Sequence, residues 1–253
     1  MIIMKAIICK KIIPVTKNEI DNGFILMNDK GKIEKIGKEK DVPKDVEIID
    51  AKNLVAFPGI VDPHCHATVM EESIGLGLQD GNETTDPITP FVRVLDAMNP
   101  MDKGLRRAIA GGITTICVAP GSGNVVGGQM TTIKTYGKII DDMMLQENAG
   151  IKCAFGENPK RVYGSRNQMP STRMGSLGLF RKLLLETQNY IEKWEEYEQQ
   201  KEDYQEALNK YKQKKETQKK KKPKKPKKPE TNIIHESMIP VMNKDVPLRA
   251  HAH

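Results

Sequence analysis

From Pro58 onward, short apolar runs rich in β-branched residues alternate with helical segments, and this alternation constrains the fold more than any other feature of the sequence. Residues 60–62, 114–119, 130–136, 151–155 and 247–250 are predicted strands. Residues 103–110 are a predicted helix that ends at Gly111-Gly112. Buried β-branched strands that alternate with helices are typical of a parallel sheet, so we predict an α/β fold.

The first 56 residues have a different pattern, in which short β-rich runs are separated by turns. Residues 24–27 and 32–36 alternate in polarity with a period of two and flank the turn Asn28-Asp29-Lys30-Gly31. This pattern predicts a β-hairpin. The predicted antiparallel unit is too small to be stable alone.

Two histidines follow the first predicted strand after Pro58, in the order Asp62, His64, His66. Residues two apart in a strand point to the same side, so the two imidazoles project together. Such a pair can hold one divalent cation, although two ordinary hydrogen-bonded histidines have the same spacing. The preceding Pro-Gly, apolar pair and Asp favour the metal site.

Residues 179–222 contain no Gly or Pro and are rich in Glu, Lys, Gln and Leu, so we predict that they are helical. Trp194, Tyr197, Lys201, Tyr204, Leu208 and Tyr211 are spaced 3, 4, 3, 4 and 3, as in a helical hairpin or a small coiled coil. One unbroken helix would be about 65 Å long and would project from the body. The Lys-Pro run that follows ends the helix.

The positive charge of the chain is concentrated in this same region. Residues 214–230 contain ten Lys and two Glu, a net +8, so the other residues sum to +7 − 8 = −1. A lysine run of this kind attracts nucleic acid or acidic proteins, or is a solvated linker. No aromatic residue interleaves the lysines to stack on bases, which argues against nucleic-acid binding.

Four scattered cysteines form no C-x-x-C pair, which indicates reduced thiols and a cytoplasmic protein. The N-terminal residues do not have the pattern of a signal peptide, and no apolar run approaches the length of about 20 residues that a membrane span needs.

The stretch Pro58-Gly59-Ile60-Val61-Asp62 with His64 and His66 resembles the opening motif of the amidohydrolase superfamily, in its imidazolonepropionase-like branch. Residues 110–115, 121–129, 156–159 and 249–253 extend the resemblance. It implies an incomplete (β/α)8 TIM-type barrel preceded by a small β-sandwich unit. Residues 1–56 would be part of the composite sandwich, and residues 57–253 the first five barrel strands. A helical, Lys-rich insertion would lie at about 185–230.

The resemblance also implies a set of metal ligands. His64 and His66 would be ligands from the first strand and His251 the ligand from the fifth. Members of the superfamily place a carboxylated lysine or a glutamate as a bridging ligand after an intermediate strand. We assign that role to Glu157, because Lys152 would lie at the N-terminal end of predicted strand 151–155. A surface carboxylate is the alternative for Glu157.

Four further residues are candidates for substrate binding. His253 shares a face with His251, and Asn124 and Gln129 lie in the glycine-rich stretch 121–129, which either binds an anionic group or is a tight loop. Arg161, like its neighbour Arg166, either holds an anionic substrate or is ordinary surface charge. His235 is expected to be exposed.

The resemblance implies a metal-dependent hydrolase that acts on C–N bonds of amides or cyclic amides. The metal would most often be Zn, with Fe or Mn as alternatives, and the substrate a small molecule. The expected Asp base cannot be placed in the sequence. A (β/α)8 barrel takes about 250 residues, and roughly 150 remain here for it, so we expect an incomplete chain. A non-catalytic fragment and a binder of acidic partners are the alternatives, and homo-oligomerisation is left open.

Overall fold

A computed structural model describes residues 4–72, 75, 79–213 and 222–252. The chain divides into two units, Met1–Ile60 and Val61–His253. Within the described residues, no helix combines the length and the apolar character that crossing a membrane requires.

The first unit is a sheet of four strands within the described residues: β1 (Lys5–Ile12), β2 (Ile20–Met27), β3 (Ile33–Lys38) and β4 (Glu47–Ala56), in the order β3-β2-β1-β4. β1 is antiparallel to β2 and parallel to β4. The predicted β2–β3 hairpin is confirmed. Asn28 Oδ1 accepts hydrogen bonds from the Lys30 and Lys32 N–H groups, and Gly31 has φ +70°, a conformation that glycine adopts without strain.

One face of the first sheet forms a small apolar core. The cross-strand pairs Ala6–Leu26 and Ile8–Phe24 lie on the same face, and all four side chains are buried. The period of two in β1 and β2 therefore places these residues together and leaves the alternate ones on the other face.

The second unit contains β5 (Ile60–Cys65), β6 (Ile113–Val118), β7 (Val126–Lys134), β8 (Met144–Ala154) and β9 (Leu248–His251). Within the described residues these five strands form one sheet in the order β5-β6-β7-β8-β9. Its helices are α1 (Lys103–Ala110), α2 (Ile140–Met143), α3 (Glu157–Gly164), α4 (Arg173–Gln213) and α5 (Ile233–Met242).

This sheet is mixed, so the prediction of a parallel sheet is only partly confirmed. β8 and β9 are parallel, but β7 is antiparallel to both β6 and β8. The reason is the length of the connection: β6 ends at Val118 and β7 begins at Val126, whereas a parallel crossover needs about a dozen residues or more. The α3–α5 region provides that length between β8 and β9.

The two faces of β8 have different environments. Ile151 and Cys153 are fully buried in a cluster with Leu183 of α4 and Met238 of α5. Because side chains alternate along a strand, Lys152 and Ala154 lie on the opposite face of the sheet. The helices therefore cover one face of β8 and leave the lysine on the other.

α4 is one unbroken helix of 41 residues, about 60 Å long, and the chain returns along it in extended form rather than as a second helix. We call residues 222–232 the Lys-Pro segment. Its prolines, Pro223, Pro226 and Pro229, are half-buried and the lysines between them are exposed, which gives the period of three of a polyproline II helix. The ammonium of Lys228 lies 5.3 Å from the centre of the Trp194 ring. α4 is unbroken to Gln213 and proline in the Lys-Pro segment excludes a second helix there, so the predicted helical hairpin is wrong, whereas the small coiled coil stays a prediction.

Candidate functional site

His64 and His66 lie at the carboxyl end of β5, with their ring centres 5.2 Å apart and their planes nearly perpendicular. His66 Nδ1 donates a hydrogen bond to the carbonyl oxygen of Ala119, 2.9 Å away, just beyond the end of β6. A carbonyl only accepts, so Nδ1 carries the proton and Nε2 keeps its lone pair. The same partner fixes both the tautomer and the orientation of the ring, as carbonyl partners do for histidines that bind metals.

Lys152 is the residue that the sequence analysis rejected as the bridging ligand. Only 1% of it is exposed, and its Nζ lies 3.0 Å from His64 Nε2. Burial lowers the pKa of Lys152, which favours the neutral amine. The pKa of His64 is lowered by burial and then by the charges of Lys152 and His66. Nζ therefore donates its hydrogen bond to the lone pair of a neutral imidazole.

His251, the last residue of β9, completes the group. It pairs with Ala154 on β8, two residues after Lys152, so Lys152 and His251 lie on the same face of the sheet. The charge of His251 contributes to the lowered pKa of His64, because like charges close together disfavour protonation. The ends of β5, β8 and β9 therefore bring three imidazoles and one buried amine to one region.

Glu157 has a different environment from these four residues. It is the first residue of α3, its side chain is 60% exposed, and its carboxylate pairs with Lys160 at 2.8 Å and Arg173 at 3.6 Å. The structure also corrects the strand that guided the sequence analysis. β8 begins at Met144 and ends at Ala154, so Lys152 lies near the carboxyl end of the strand, not at its beginning.

Asn124 and Gln129 hold a neighbouring loop. Asn124 is buried, and its amide donates hydrogen bonds to the carbonyl oxygens of Glu83 and Asp86 and to the Thr89 hydroxyl. Its Oδ1 accepts from the Tyr163 hydroxyl, and Gln129 donates to the Pro90 carbonyl. Both the NH₂ group and the Oδ1 atom of Asn124 are therefore hydrogen-bonded within the protein, which gives the residue a structural role in fixing residues 83–90.

The other candidates are dispersed. Arg161 is exposed on α3, and Arg166 donates to the carbonyl of Thr84. His235 is half-buried, with Nδ1 3.0 Å from the Thr187 hydroxyl and its ring against Tyr190, so the prediction that it is exposed is wrong. His253 lies outside the described residues. In the described part of the chain, no three His, Cys, Asp or Glu side chains form a group that could hold a metal ion.

The chain is similar to known proteins in both sequence and structure. It is 36% identical over 168 residues to the amidohydrolase tasK of Hapsidospora irregularis. A crystal structure of an amidohydrolase from Thermotoga maritima MSB8 superimposes with a TM-score of 0.81 and 38% identity over 98% of this chain. The chain belongs to the amidohydrolase superfamily. A second curated member, the dihydroorotase of Aquifex aeolicus (strain VF5), is 32% identical over 117 residues. No family model matches.

The similarity covers different shares of these superfamily members. The match includes 17% of tasK, 22% of the dihydroorotase and 58% of the Thermotoga structure, so the chain spans less than two thirds of each. In the reverse direction, the Thermotoga alignment leaves out only 2% of this chain.

Proposed function

We propose that the chain is part of a metal-dependent hydrolase that acts on C–N bonds of small molecules, and that its five-stranded sheet is part of a (β/α)8 barrel. The observation that carries the proposal is the convergence of His64, His66, Lys152 and His251 at the ends of three strands. Superfamily relatives named amidohydrolase and dihydroorotase support the reaction class.

The chemistry of these donor groups suits a divalent metal with nitrogen and carboxylate ligands, although among the described residues the imidazoles do not by themselves form a group that could hold the ion. His66 has a lone pair on Nε2 because Nδ1 donates to Ala119. Lys152 as an amine is a poor ligand for Zn, but burial favours its neutral form, which is nucleophilic. Addition of CO₂ to Nζ forms a carbamate and releases one proton, and the carbamate oxygens are metal ligands. We therefore propose Lys152 rather than Glu157 as the carboxylated ligand beside His64, His66 and His251.

A bound Zn, Fe or Mn ion would lower the pKa of a water molecule and polarise the substrate carbonyl. The residues of this chain would hold the ion and orient its ligands. Ala119 fixes the ring of His66, and the face of β8 that points away from α4 and α5 presents Lys152. The substrate class we infer is an amide or cyclic amide. A cytoplasmic location and a homo-oligomer stay predictions.

Metal analysis of the unaltered chain and of variants at the proposed ligands tests this proposal. We expect the unaltered protein, equilibrated with Zn²⁺ and bicarbonate and then desalted, to retain zinc. His64→Ala/His66→Ala and Lys152→Gln should lose it. Glu157→Gln is the matched control, since it also exchanges a charged side chain for glutamine, and it should retain zinc.

The outcomes separate the two candidate bridging ligands. Loss of zinc in Glu157→Gln with retention in Lys152→Gln would restore the assignment from the sequence. Zinc retained by the double histidine variant would refute the site altogether. Dependence of zinc retention on bicarbonate, in the unaltered protein but not in Lys152→Glu, would support the carbamate.

A further inference from the structure

A buried carboxylate holds the loop that follows His66. Asp102 is 3% exposed and lies immediately before α1. Its Oδ2 accepts a hydrogen bond from the Thr68 N–H at 2.8 Å, and its Oδ1 accepts from the N–H groups of Glu72 at 3.3 Å and Gly104 at 3.0 Å. Two of these donors belong to the loop after His66 and one to α1, so the side chain joins the two segments.

The loop needs such a contact because its backbone is strained at Thr68. This residue has φ +74°, which a β-branched side chain rarely adopts, and it is fully buried. Conformations of this kind persist only where the surroundings determine them. The Thr68 N–H donates to Asp102 and its carbonyl accepts from the Asn99 N–H at 3.1 Å, so residues just before α1 hold both sides of the strained residue.

The same segment of chain also holds the imidazole of His66. α1 leads directly into β6, and Ala119 beyond β6 accepts the hydrogen bond from Nδ1. The ring of His66 and the backbone two residues later are therefore both attached to residues 99–119. An ion pair between Arg107 of α1 and Glu72, at 2.7 Å, adds a third attachment.

We propose that Asp102 is a positioning residue: through Thr68 it fixes the backbone after His66 so that the imidazole presents Nε2 to a metal ion. The metal part of this inference rests on the proposed function. The positioning of the ring does not, because the hydrogen bonds involved are within the protein.

Asp102→Asn is the informative variant. Asparagine caps a helix as well as aspartate does, so Oδ1 can still accept from Gly104. Its Nδ2 then faces the Thr68 N–H, and two donors cannot bond. The variant therefore keeps the cap of α1 and breaks the attachment of the loop. Changes to groups that orient metal ligands typically lower metal affinity about 10- to 100-fold, and we expect a loss in that range for Co²⁺, with altered visible bands.

Two measurements distinguish a failure of the positioning role of Asp102 from a failure of the proposed metal function. In the metal-free protein, the imidazole ¹⁵N shifts of His66 should report a fixed Nδ1–H tautomer, and Asp102→Asn should move them towards the average of both tautomers. Co²⁺ titration then tests the effect on metal. If the unaltered protein binds no Co²⁺ but the tautomer responds, the metal function fails and the positioning role stands.

Met238→Ala is the control for lost stability, because Met238 is fully buried on α5 in a cluster that includes neither Asp102 nor the residues next to His66. It should lower the melting temperature while leaving the His66 shifts and the Co²⁺ affinity unchanged. The proposal is overturned if Asp102→Asn leaves the His66 tautomer intact and Co²⁺ affinity within threefold, or if Met238→Ala produces the same changes.

Discussion

Replacing Lys152 by methionine should stabilise the metal-free protein at neutral pH. The unfolded lysine titrates near pH 10.4, and burial lowers its pKa in the folded state. Between those two pKa values the unfolded chain binds more protons, so the free energy of unfolding rises with pH. The penalty is thus fully present below the folded pKa and disappears above about pH 10.4.

The size of the effect follows from two opposing contributions. Each unit by which the pKa is lowered corresponds to about 1.4 kcal/mol of lost stability at low pH. The hydrogen bond from Nζ to His64 Nε2 contributes about 1 kcal/mol to the stability of the folded protein, and methionine cannot form it. We expect Lys152→Met to be more stable than the unaltered protein at pH 7, where burial of the charged lysine opposes folding, and less stable by about 1 kcal/mol near pH 11, where only the lost hydrogen bond counts.

Urea denaturation in the presence of a chelator, at pH 7 and near pH 11, measures both quantities. Lys182→Met is the control, because Lys182 is exposed and the same substitution there should change stability by less than about 0.5 kcal/mol. A variant that is less stable than the unaltered protein at pH 7, or a difference that does not change sign with pH, would refute the reasoning on Lys152.

Three further perturbations test the structural roles described above. Asn124→Ala should cost about 2–3 kcal/mol in urea denaturation, because the carbonyls of Glu83 and Asp86 lose a buried donor; an unchanged midpoint would contradict that role. Trp194→Ala should speed tryptic cleavage in the Lys-Pro segment about tenfold without altering the far-UV spectrum of the rest, whereas unchanged cleavage would show that Trp194 does not hold the segment. Phe24→Ala should cost about 3–5 kcal/mol in the first sheet, measured by hydrogen exchange of β1 and β2, and a loss below 1 kcal/mol would mean that this core is unimportant.

The sequence is sufficient to predict the position of the His64–His66 pair, since a strand alternates and Asp62-Pro63 directly precedes it. It also predicts the β2–β3 hairpin, where turn residues and alternation agree. It fails for β7, because strand patterns do not reveal direction. The seven residues between β6 and β7 hold that information, as they are too few for a parallel crossover.

Lys152 was rejected because the beginning of β8 was placed seven residues too late, which put the lysine at the wrong end of the strand. The feature that could have identified it is a single charged residue within an apolar run. Side chains alternate along the strand, so Ile151 and Cys153 face the helices and Lys152 lies on the other face. The role of Asp102 depends on the left-handed backbone at Thr68, which no local pattern of residues predicts.

The Lys-Pro segment and the α4 helix that it packs along differ in their rise per residue. The helix rises about 1.5 Å per residue and an extended proline-rich strand about 3.1 Å. Eleven residues of strand can thus match about 22 residues of helix, near the span from Tyr190 to Gln213. A Lys-Lys-Pro triplet is then a unit of length of about 9 Å. Removing one whole triplet would keep a proline at each half-buried position and shorten the strand by one step, whereas removing a single residue would place a lysine where a proline now lies.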